Sequence, residues 1–338
     1  MNKPVSHFLT TFGVLLMLGP RPAAGQSFEA VGERALGMGG AFVAVANDST
    51  ATWWNPAGLA TGPFLDLSIG TASGAADSAY PASKGGAWWF SLGTPPLGVS
   101  YYRLKITEIR AAPATGTAAA GREDRAAGDG IQSLSMSQFG ATVLHSIATG
   151  VTAAATLKYV RATARVRLFD EADSVMAIPQ LLDEGEELSD GETHGTVDVD
   201  LGVLASRGPV RLGLTARNLR EPQFGEWQLS RQVRLGAAFD GAVAGMVPVT
   251  VSVDADLRRY AAALGDRRVV AFGGEYWVRP QRIALRGGAR FNTVGGQDRT
   301  VTAGGSVAAR AGLFIDGHVA VGGDTSGRGW GVAARVAF

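Results

Sequence analysis

The sequence predicts an all-β fold: a transmembrane antiparallel β-barrel of about 14 strands, with an N-terminal hatch segment in its lumen. Three observations predict it: side chains alternate in the last strand, similar strands recur along the chain, and an export signal is followed by no apolar helix. A tilted strand of about 9 to 11 residues can cross a membrane with one face in lipid and the other in a polar lumen.

The C-terminal strand shows the clearest alternation. Apolar side chains occupy every second position, at Trp330, Val332, Ala334, Val336 and Phe338, and Arg335 lies on the opposite face. A last strand that ends on a phenylalanine is typical of outer-membrane barrels. We therefore expect Trp330, Val336 and Phe338 to act as the signal for the barrel-assembly machinery.

The N-terminus has the pattern of an export signal, predicted to span residues 1–25. An apolar run from Phe8 to Leu18 is followed by small residues, Ala23 and Gly25, ahead of the expected cleavage point. No later stretch reaches the roughly 18 uninterrupted apolar residues of a spanning helix. The exported chain is therefore expected to be periplasmic, secreted or a membrane barrel.

Composition narrows these classes. The chain has 47 Gly, no Cys and a formal net charge of +1, which argues against a disulfide scaffold and gives no reason to expect a nucleic-acid partner. No Pro/Ser-rich linker divides it. We predict one barrel over residues 63–338, preceded by a hatch segment over residues 26–62.

Fourteen β-favouring segments recur from Pro63 onward with turn signals between them. They lie at about 63–71, 85–93, 96–109, 131–147, 150–168, 195–206, 209–218, 231–240, 248–259, 267–278, 282–291, 299–310, 311–320 and 328–338. Alternate connections are short, as periplasmic turns are in such barrels. An even strand number then places both termini in the periplasm of a Gram-negative-type bacterium.

The inward face of this barrel is predicted to be charged. In segments 248–259 and 282–291, apolar residues alternate with charged ones. The predicted lumen network consists of Asp254, Asp256, Glu275, Arg282, Arg286 and Arg290. Because unpaired buried charge is costly, such a lumen must be wet, internally paired or plugged. A structural ladder of paired charges is favoured over a field that selects permeants.

Two segments change phase, at 131–147 and 150–168, and indicate either a β-bulge or emergence above the membrane. Arg161, Arg165 and Arg167 lie in the outer half of the second segment. They are either a solvated strand end, which is favoured, or contacts for lipopolysaccharide phosphates. The expected partners of the wall are thus outer-membrane lipid and lipopolysaccharide.

The predicted hatch is rich in small residues. Its glycines, Gly37 and Gly39, permit close backbone approach, which suits a segment folded inside a crowded barrel mouth. Ser49 or Thr50 is placed to cap a short helical turn. Asn55-Pro56 is expected to end that turn. The hatch and gating candidates are Gly37, Gly39, Phe42, Trp53, Trp54, Asn55, Pro56 and Ala57.

This segment resembles the FadL-type outer-membrane transport family, and most closely its PorV-like branch, whose members begin with a pattern like G-x-R-x-x-G-M-G-x-A…W-N-P-A-x-L. The matching residues are Gly32, Arg34, Gly37, Met38, Gly39, Ala41, Trp54, Asn55, Pro56, Ala57 and Leu59. The match covers about 30 residues, and the rest of the chain fits by architecture alone.

The resemblance implies a fourteen-stranded barrel with a luminal hatch that passes hydrophobic small molecules, such as long-chain fatty acids or hydrocarbons, by passive diffusion. PorV-like relatives instead hold or hand over secreted proteins at the cell surface. That second role remains an alternative for this chain.

The longest external segments are expected at about 110–130 and 169–194. The second carries nine carboxylates and no Lys or Arg. It lacks the ligand spacing of a calcium loop, so a solvated, mobile loop is favoured and no metal is predicted. Its apolar stretches, Leu168-Phe169 and 175–179, could capture substrate or merely pack.

Catalytic chemistry is not expected. The histidines after residue 25 are His145, His194 and His318, and His145 lies beside Ser146, whose side chain must point to the opposite face of a strand. Gly37-x-Gly39 lacks a preceding strand and a third spaced glycine, so it does not predict a dinucleotide loop. We predict a protein that is not an enzyme and has no cofactor.

Overall fold

The fold was obtained as a computed structural model, which describes residues 23–24, 29–109, 130–170, 172–224, 227–262, 265–279, 282–295, 298–323 and 327–338. Fourteen strands form one sheet: β1 Asp66–Ala76, β2 Ala82–Thr94, β3 Leu97–Ile109, β4 Gly130–Ala148, β5 Val151–Leu168, β6 Glu192–Arg207, β7 Val210–Arg217, β8 Gln232–Asp240, β9 Val249–Asp256, β10 Val269–Arg279, β11 Ile283–Asn292, β12 Arg299–Arg310, β13 Leu313–Gly322 and β14 Arg328–Ala337.

These strands close into an up-and-down barrel. Each pairs antiparallel with the next along the chain, and β14 closes the sheet on β1, with Val336 opposite Leu67. The predicted fourteen-stranded antiparallel barrel is confirmed.

The two ends of the barrel differ in their connections. At the end that we call the turn end, β2–β3, β4–β5, β6–β7 and β12–β13 are each joined by two residues. The opposite end, the loop end, carries the longer connections, including 169–191 and 218–231. β1 begins and β14 finishes at the turn end, as the even strand number requires.

The faces of the wall follow the predicted alternation. In β9 and β11, Val251 and Leu285 point outward and are about half exposed, whereas Asp254 and Arg286 point inward and are buried. Arg335 is buried in the lumen, opposite the outward Trp330. An apolar exterior and a polar interior are the arrangement of a membrane barrel rather than of a sandwich with an apolar core.

The two phase changes do not come from bulges within the phase-shifting stretches. The pairing between β4 and β5 runs without a shift from Gly130 to Ser146. Near the loop end, Leu134, Met136 and Val160 point inward and are buried. They pack against apolar residues of the 218–231 connection, namely Phe224, Trp227 and Leu229. Of the two predicted explanations, the bulge is wrong: the strands continue straight past the polar part of the lumen.

The acidic segment 169–194 is folded, and the prediction of a solvated loop is wrong in this respect. A 3-10 helix, Ala172–Val175, precedes α3, Ile178–Glu187. Leu181 and Leu182 of α3 pack on Ile109 and Ile131, at outward positions of β3 and β4. Phe169, Met176 and Ile178 join this cluster.

Five acidic side chains of this segment are paired with Lys84 or Arg167, which reduces their mutual repulsion. Lys84 Nζ lies 2.7 Å from Asp183 and 3.0 Å from Glu186. Arg167 contacts Asp173 at 2.8 Å and Glu184 at 3.0 Å. Ion pairs with Lys84 and Arg167 thus hold α3 on the outer face of the wall.

Two predicted segments lie largely outside the described residues. The export signal at 1–25 is described only at Ala23–Ala24, which pair in parallel with Trp227–Gln228. The external segment at 110–130 is described only at Gly130. None of the described helices is long and apolar enough to cross a membrane.

Candidate functional site

Residues 29–62, which we call the hatch, fill the lumen. The hatch contains α1 Glu33–Gly37, α2 Ala51–Trp54 and a 3-10 helix, Pro56–Thr61. Most of its side chains are buried, and its apolar residues form one core with inward residues of the wall such as Trp89 and Tyr102. The predicted hatch segment is therefore folded inside the barrel.

Glycines allow α1 to sit directly on the wall. A Cβ on Gly37 would lie 3.2 Å from the Cα of Gly304 in β12. Gly39 has φ +69°, and a Cβ there would lie 2.8 Å from the backbone nitrogen of Ala289. The facing position on β11, Gly288, would meet the backbone of Met38 if it carried a side chain. The Gly-Met-Gly motif is thus explained by backbone-to-backbone contact.

Asp254 of β9 fastens the next stretch of the hatch. Its Oδ2 accepts hydrogen bonds from the backbone N–H groups of Phe42 and Val43, both at 2.8 Å. The sequence pattern predicts a charged ladder containing Asp254, but the structure shows this carboxylate bound to backbone. Hydrogen bonds from N–H groups to a carboxylate are charge-assisted, so this is a strong anchor.

Asn55 ties the middle of the hatch together and to the wall. Its Nδ2 donates to the carbonyl oxygens of Val43, at 2.9 Å, and of Val203 in β6, at 3.1 Å. Its Oδ1 accepts from the N–H of Ala57, which caps the 3-10 helix that begins at Pro56. The Asn-Pro-Ala turn is predicted correctly, and its amide proves to be a cross-link as well as a cap.

The aromatic candidates Phe42, Trp53 and Trp54 are wedges between hatch and wall. All three are essentially inaccessible to solvent. Trp53 lies edge-on to Tyr102 at 4.9 Å between ring centroids, and the Arg217 guanidinium lies 3.7 Å from its ring centroid. None of the three lines either of the two cavities described below. In this closed arrangement they stabilise the hatch and do not face a permeating molecule.

Charged side chains fasten α1 on its turn-end side. Arg34 donates from Nε and Nη2 to the two carboxylate oxygens of Glu275, each at 2.8 Å. Arg286 Nε donates to the same carboxylate at 2.7 Å. Asp316 links Arg286 to Arg335 at 3.6 and 3.2 Å. Such a network stabilises the closed lumen only while every charge keeps its partners.

A second charged group anchors the start of the hatch. Arg234 pairs with Glu29 and with Asp256, each at 2.7 Å. Glu33 contacts His318 of β13. These hatch residues, with Arg34, were not assigned a role from the sequence, although Arg34 belongs to the family-like motif. The signal in the sequence that points to an ion pair is the fixed spacing of Arg34 from Gly37 and Gly39 in that motif.

The predicted lumen network is corrected at several positions, of which Asp254 is described above. Arg282 precedes β11, lies in the turn between β10 and β11, and is exposed, because the strand begins one residue later than expected. Glu275 and Arg286 do meet, Asp256 meets Arg234 instead, and Arg290 lines a cavity. Trp330 faces outward, and Phe338 pairs by its backbone with Leu65.

Two cavities lie on opposite sides of α1. The loop-end cavity has a volume of about 230 Å³ and touches Glu29, Ala30 and Leu36 of the hatch. The turn-end cavity, of about 180 Å³, touches Arg34, Val45 and Asn47. Arg34 and Leu36, on opposite faces of this short helix, thus line two different spaces in one lumen.

The loop-end cavity has one apolar side and one basic side. Leu36, Ala72, Ala87 and Leu104 contribute apolar surface. Arg267, Arg290, Asn292 and His318 lie on the other side, with Glu29 between. Nothing in this set points to a metal site, and no group of three potential ligands occurs among the described residues.

The wall beside this cavity is built from small residues. All residues of 72–76 and 83–87 line the cavity, although neighbours on a strand point to opposite faces. The β1–β2 ladder is continuous there, from Ala72 opposite Ala87 to Ala76 opposite Ser83. The cavity therefore lies against a thin wall of small residues whose hydrogen bonds are intact.

Comparison with known proteins identifies the fold. No protein-family model and no curated protein sequence matches this chain. Among solved structures, it is similar to the toluene transporter TbuX of Ralstonia pickettii, with a TM-score of 0.63 at 14% identity, over 92% of this chain and 99% of that one. It is similar to the monoaromatic hydrocarbon channel CymD, with a TM-score of 0.63 at 12% identity, over 92% and 98%.

A FadL homologue of Pseudomonas aeruginosa also matches, with a TM-score of 0.58 at 9% identity, over 94% of this chain and 99% of that one. At identities of 9% to 14%, the similarity to these structures shows a shared fold. The fold implied by the FadL-type resemblance is thereby confirmed, and the PorV-like assignment stays a prediction.

Proposed function

We propose that this protein is an outer-membrane channel that passes small hydrophobic compounds by passive diffusion, with its loop end facing outward. The observation that supports it most is the loop-end cavity, which is half apolar and lies directly against α1 of the hatch. Pockets for small ligands combine apolar walls with a few placed polar groups in this way.

The size of the cavity favours a compound of about one ring. A buried apolar cavity of about 150 Å³ is enough to hold benzene. The volume here is about 230 Å³, so a single-ring hydrocarbon fits, while a long-chain fatty acid would have to extend out of it. The structural neighbours that carry toluene or monoaromatic hydrocarbons in their names support the same size class.

Passage requires α1 to move, because it separates the two cavities. The contacts that hold it are ion pairs and hydrogen bonds: Arg34 with Glu275, Glu33 with His318, and the hydroxyl of Thr302 with the Gly37 carbonyl at 2.9 Å. Displacing α1 joins the cavities without opening the wall.

The test fills the loop-end cavity and measures uptake. Ala72→Phe places a ring into the cavity, and Thr71→Phe, one residue away, places the same ring on the lipid-facing side of β1. We expect the initial rate of radiolabelled toluene uptake to fall several-fold for Ala72→Phe and to remain at the wild-type level for Thr71→Phe. A protonophore should leave the rate unchanged, since passive diffusion needs no energy source.

Equal toluene uptake by cells with Ala72→Phe, with wild type and with no barrel would contradict the proposal, provided that both variants fold as judged by their heat-modifiable migration. Laurate uptake in the same cells separates fatty acids from hydrocarbons. If uptake is unaffected by deleting the gene while surface retention of secreted proteins is lost, the PorV-like role is supported instead.

A further inference from the structure

The outer wall at the loop end carries a basic trough. Its floor is formed by serines at outward positions of β4, and its sides by basic residues of β3 and β5. We define the basic trough as Arg103, Lys105, Ser135, Ser137, Arg161 and Arg165. Every charged member is a cation, and the serines leave space between the two sides.

Strand register places these cations in rows. Arg103 lies opposite Ser137, which lies opposite Arg161. Strands are spaced by about 4.8 Å, so the two arginine Cα atoms are roughly 10 Å apart across the serine. Two long guanidinium side chains can therefore converge on one group above Ser137. Gly195, the next residue in the row, adds no side chain, and the Tyr159 ring packs over it.

The adjacent row toward the turn end is aromatic. Tyr101, Phe139 and Tyr159 face outward side by side, opposite one another in register. The Tyr101 hydroxyl donates to Ser137 at 3.2 Å, which joins the aromatic row to the trough. Aromatic belts mark the level of lipid headgroups. The cations thus lie immediately beyond the edge of the hydrocarbon layer.

The cations of the trough are not neutralised within the described part of the chain. Arg103 and Arg161 are exposed, and none of the described residues forms a hydrogen bond or ion pair with their side chains. Arg165 donates only to neutral oxygens, Ser135 Oγ at 3.2 Å and the Ser189 carbonyl at 3.5 Å. Lys105 likewise donates to a backbone carbonyl, that of Glu186.

Acidic α3 cancels little of this charge, because three of its four carboxylates, all but Glu187, are paired with other cations. Asp183 and Glu186 pair with Lys84, and Glu184 pairs with Arg167. The helix lies over the next outward row, where Gly185 touches Thr107 and Ile131. The helix α3 therefore covers the basic trough on the side away from the membrane and leaves the side facing the membrane open.

We propose that the basic trough binds the phosphate groups of a phosphorylated glycolipid of the outer leaflet, which in an outer membrane is the lipid A part of lipopolysaccharide. Guanidinium groups bind phosphate through paired, charge-assisted hydrogen bonds. With phosphates at Arg103 and Arg161, the acyl chains run along the outward Phe139 and Leu157. A soluble anion would have no use for this apolar surface.

This proposal needs the outward orientation of the loop end but does not depend on transport. The experiment uses the purified full-length barrel in detergent and measures binding of synthetic diphosphoryl lipid A by native mass spectrometry. The test variant is the double substitution Arg103→Gln/Arg161→Gln. Because both residues are exposed, the barrel should fold normally, which its melting temperature checks.

We expect the double variant to bind diphosphoryl lipid A at least about tenfold more weakly, since it loses two charge-assisted contacts. Arg103→Lys/Arg161→Lys should retain part of the affinity, and added salt should weaken wild-type binding. The matched control is Arg299→Gln, because Arg299 is an exposed arginine at the loop end of β12, away from the trough.

Three results would overturn the proposal: unchanged binding by the double variant, an equal loss in Arg299→Gln, or equal affinity of the wild type for diphosphoryl and dephosphorylated lipid A. Binding of an acidic peptide without lipid A binding would assign the trough to a protein partner. Toluene uptake by the double variant should be normal, so failure here is distinguishable from failure of the proposed channel.

Discussion

Glu275 is the carboxylate on which the closed position of α1 depends most directly. It accepts two hydrogen bonds from Arg34 of the hatch, both at 2.8 Å, and one from Arg286 of the wall at 2.7 Å. Trp277 Nε1 donates to it at 3.2 Å. The side chain is 2% exposed. We predict that Glu275→Gln, which keeps the size and removes the charge, loosens α1.

The free-energy cost follows from the buried charges that are left without a partner. Removing one partner of a buried ion pair costs about 3–5 kcal/mol, because the other charge stays buried without compensation. Here two guanidinium groups, of Arg34 and Arg286, lose their shared carboxylate. Arg34 also keeps a contact to Asp48 at 3.4 Å, which favours the lower bound. About 3 kcal/mol corresponds to a roughly 100-fold rise in the population with α1 displaced.

Hydrogen exchange of the α1 amides measures that population. The N–H of Leu36 is bonded to the Gly32 carbonyl at 2.9 Å and should exchange about 100-fold faster in the variant. Single-channel conductance in planar bilayers should show more frequent openings. Asp240→Asn is the control, since Asp240 pairs with Arg211 at the turn end without touching the hatch. Exchange at the wild-type rate in Glu275→Gln, or equal acceleration in Asp240→Asn, would refute the reasoning.

Three further predictions concern the hatch and α3. Gly39→Ala should lower the free energy of unfolding by about 1–3 kcal/mol, because of its φ of +69° and the Ala289 backbone at 2.8 Å, whereas Gly245→Ala, with φ +74° and open space, should cost less in thermal melting. Asn55→Ala removes the amide that links the carbonyls of Val43 and Val203, so proteolysis within the hatch should become faster while the barrel stays intact. Burial alone would raise the pKa of Asp173, but hydrogen bonds from Arg167 hold that pKa below its usual range. The stabilisation that this pair gives α3 is therefore complete above about pH 4 and lost as the pH falls through the lowered pKa. The α3 amides should exchange faster there in the wild type and show a smaller step in Arg167→Gln, in which only the Lys84 pairs remain.

The barrel could be predicted because a membrane strand has two different solvents on its faces. In β9, Val251 and Val253 meet lipid while Ser252 and Asp254 meet the lumen, so period-two alternation records the topology locally. The alternation does not predict the faces correctly at the loop end of β4. Beyond the membrane edge, Leu134 and Met136 pack on a connection folded into the barrel mouth, and the outward positions become serine.

The partners of the hatch could not be predicted because they are remote in sequence. Arg34 and Glu275 are 241 residues apart, and Glu33 and His318 are 285 apart. Local spacing shows that glycines permit close approach, but not which strands they approach. α3 was missed for the same reason: its charges look repulsive within the segment, and Lys84, which neutralises two of them, lies about 100 residues earlier.

The two halves of the hatch share one apolar core but differ in the charged contacts that are added to it. The half containing α2 and the 3-10 helix buries Trp53, Trp54 and Leu59, and exposing each large apolar side chain would cost about 1.5–3 kcal/mol. The half containing α1 also buries Val31, Leu36 and Met38, but it rests on glycines and adds ion pairs next to two cavities. Ion pairs weaken sharply when water raises the local dielectric constant. Hydration of the turn-end cavity, which Arg34 and Glu275 both line, therefore weakens the charged contacts of α1 and leaves the apolar contacts of α2 unchanged. We predict that removal of residues 29–40 widens the lumen while Asn55 stays docked, and that Trp54, although it loses the bond from its Nε1 to the Val31 carbonyl, keeps its buried apolar contacts.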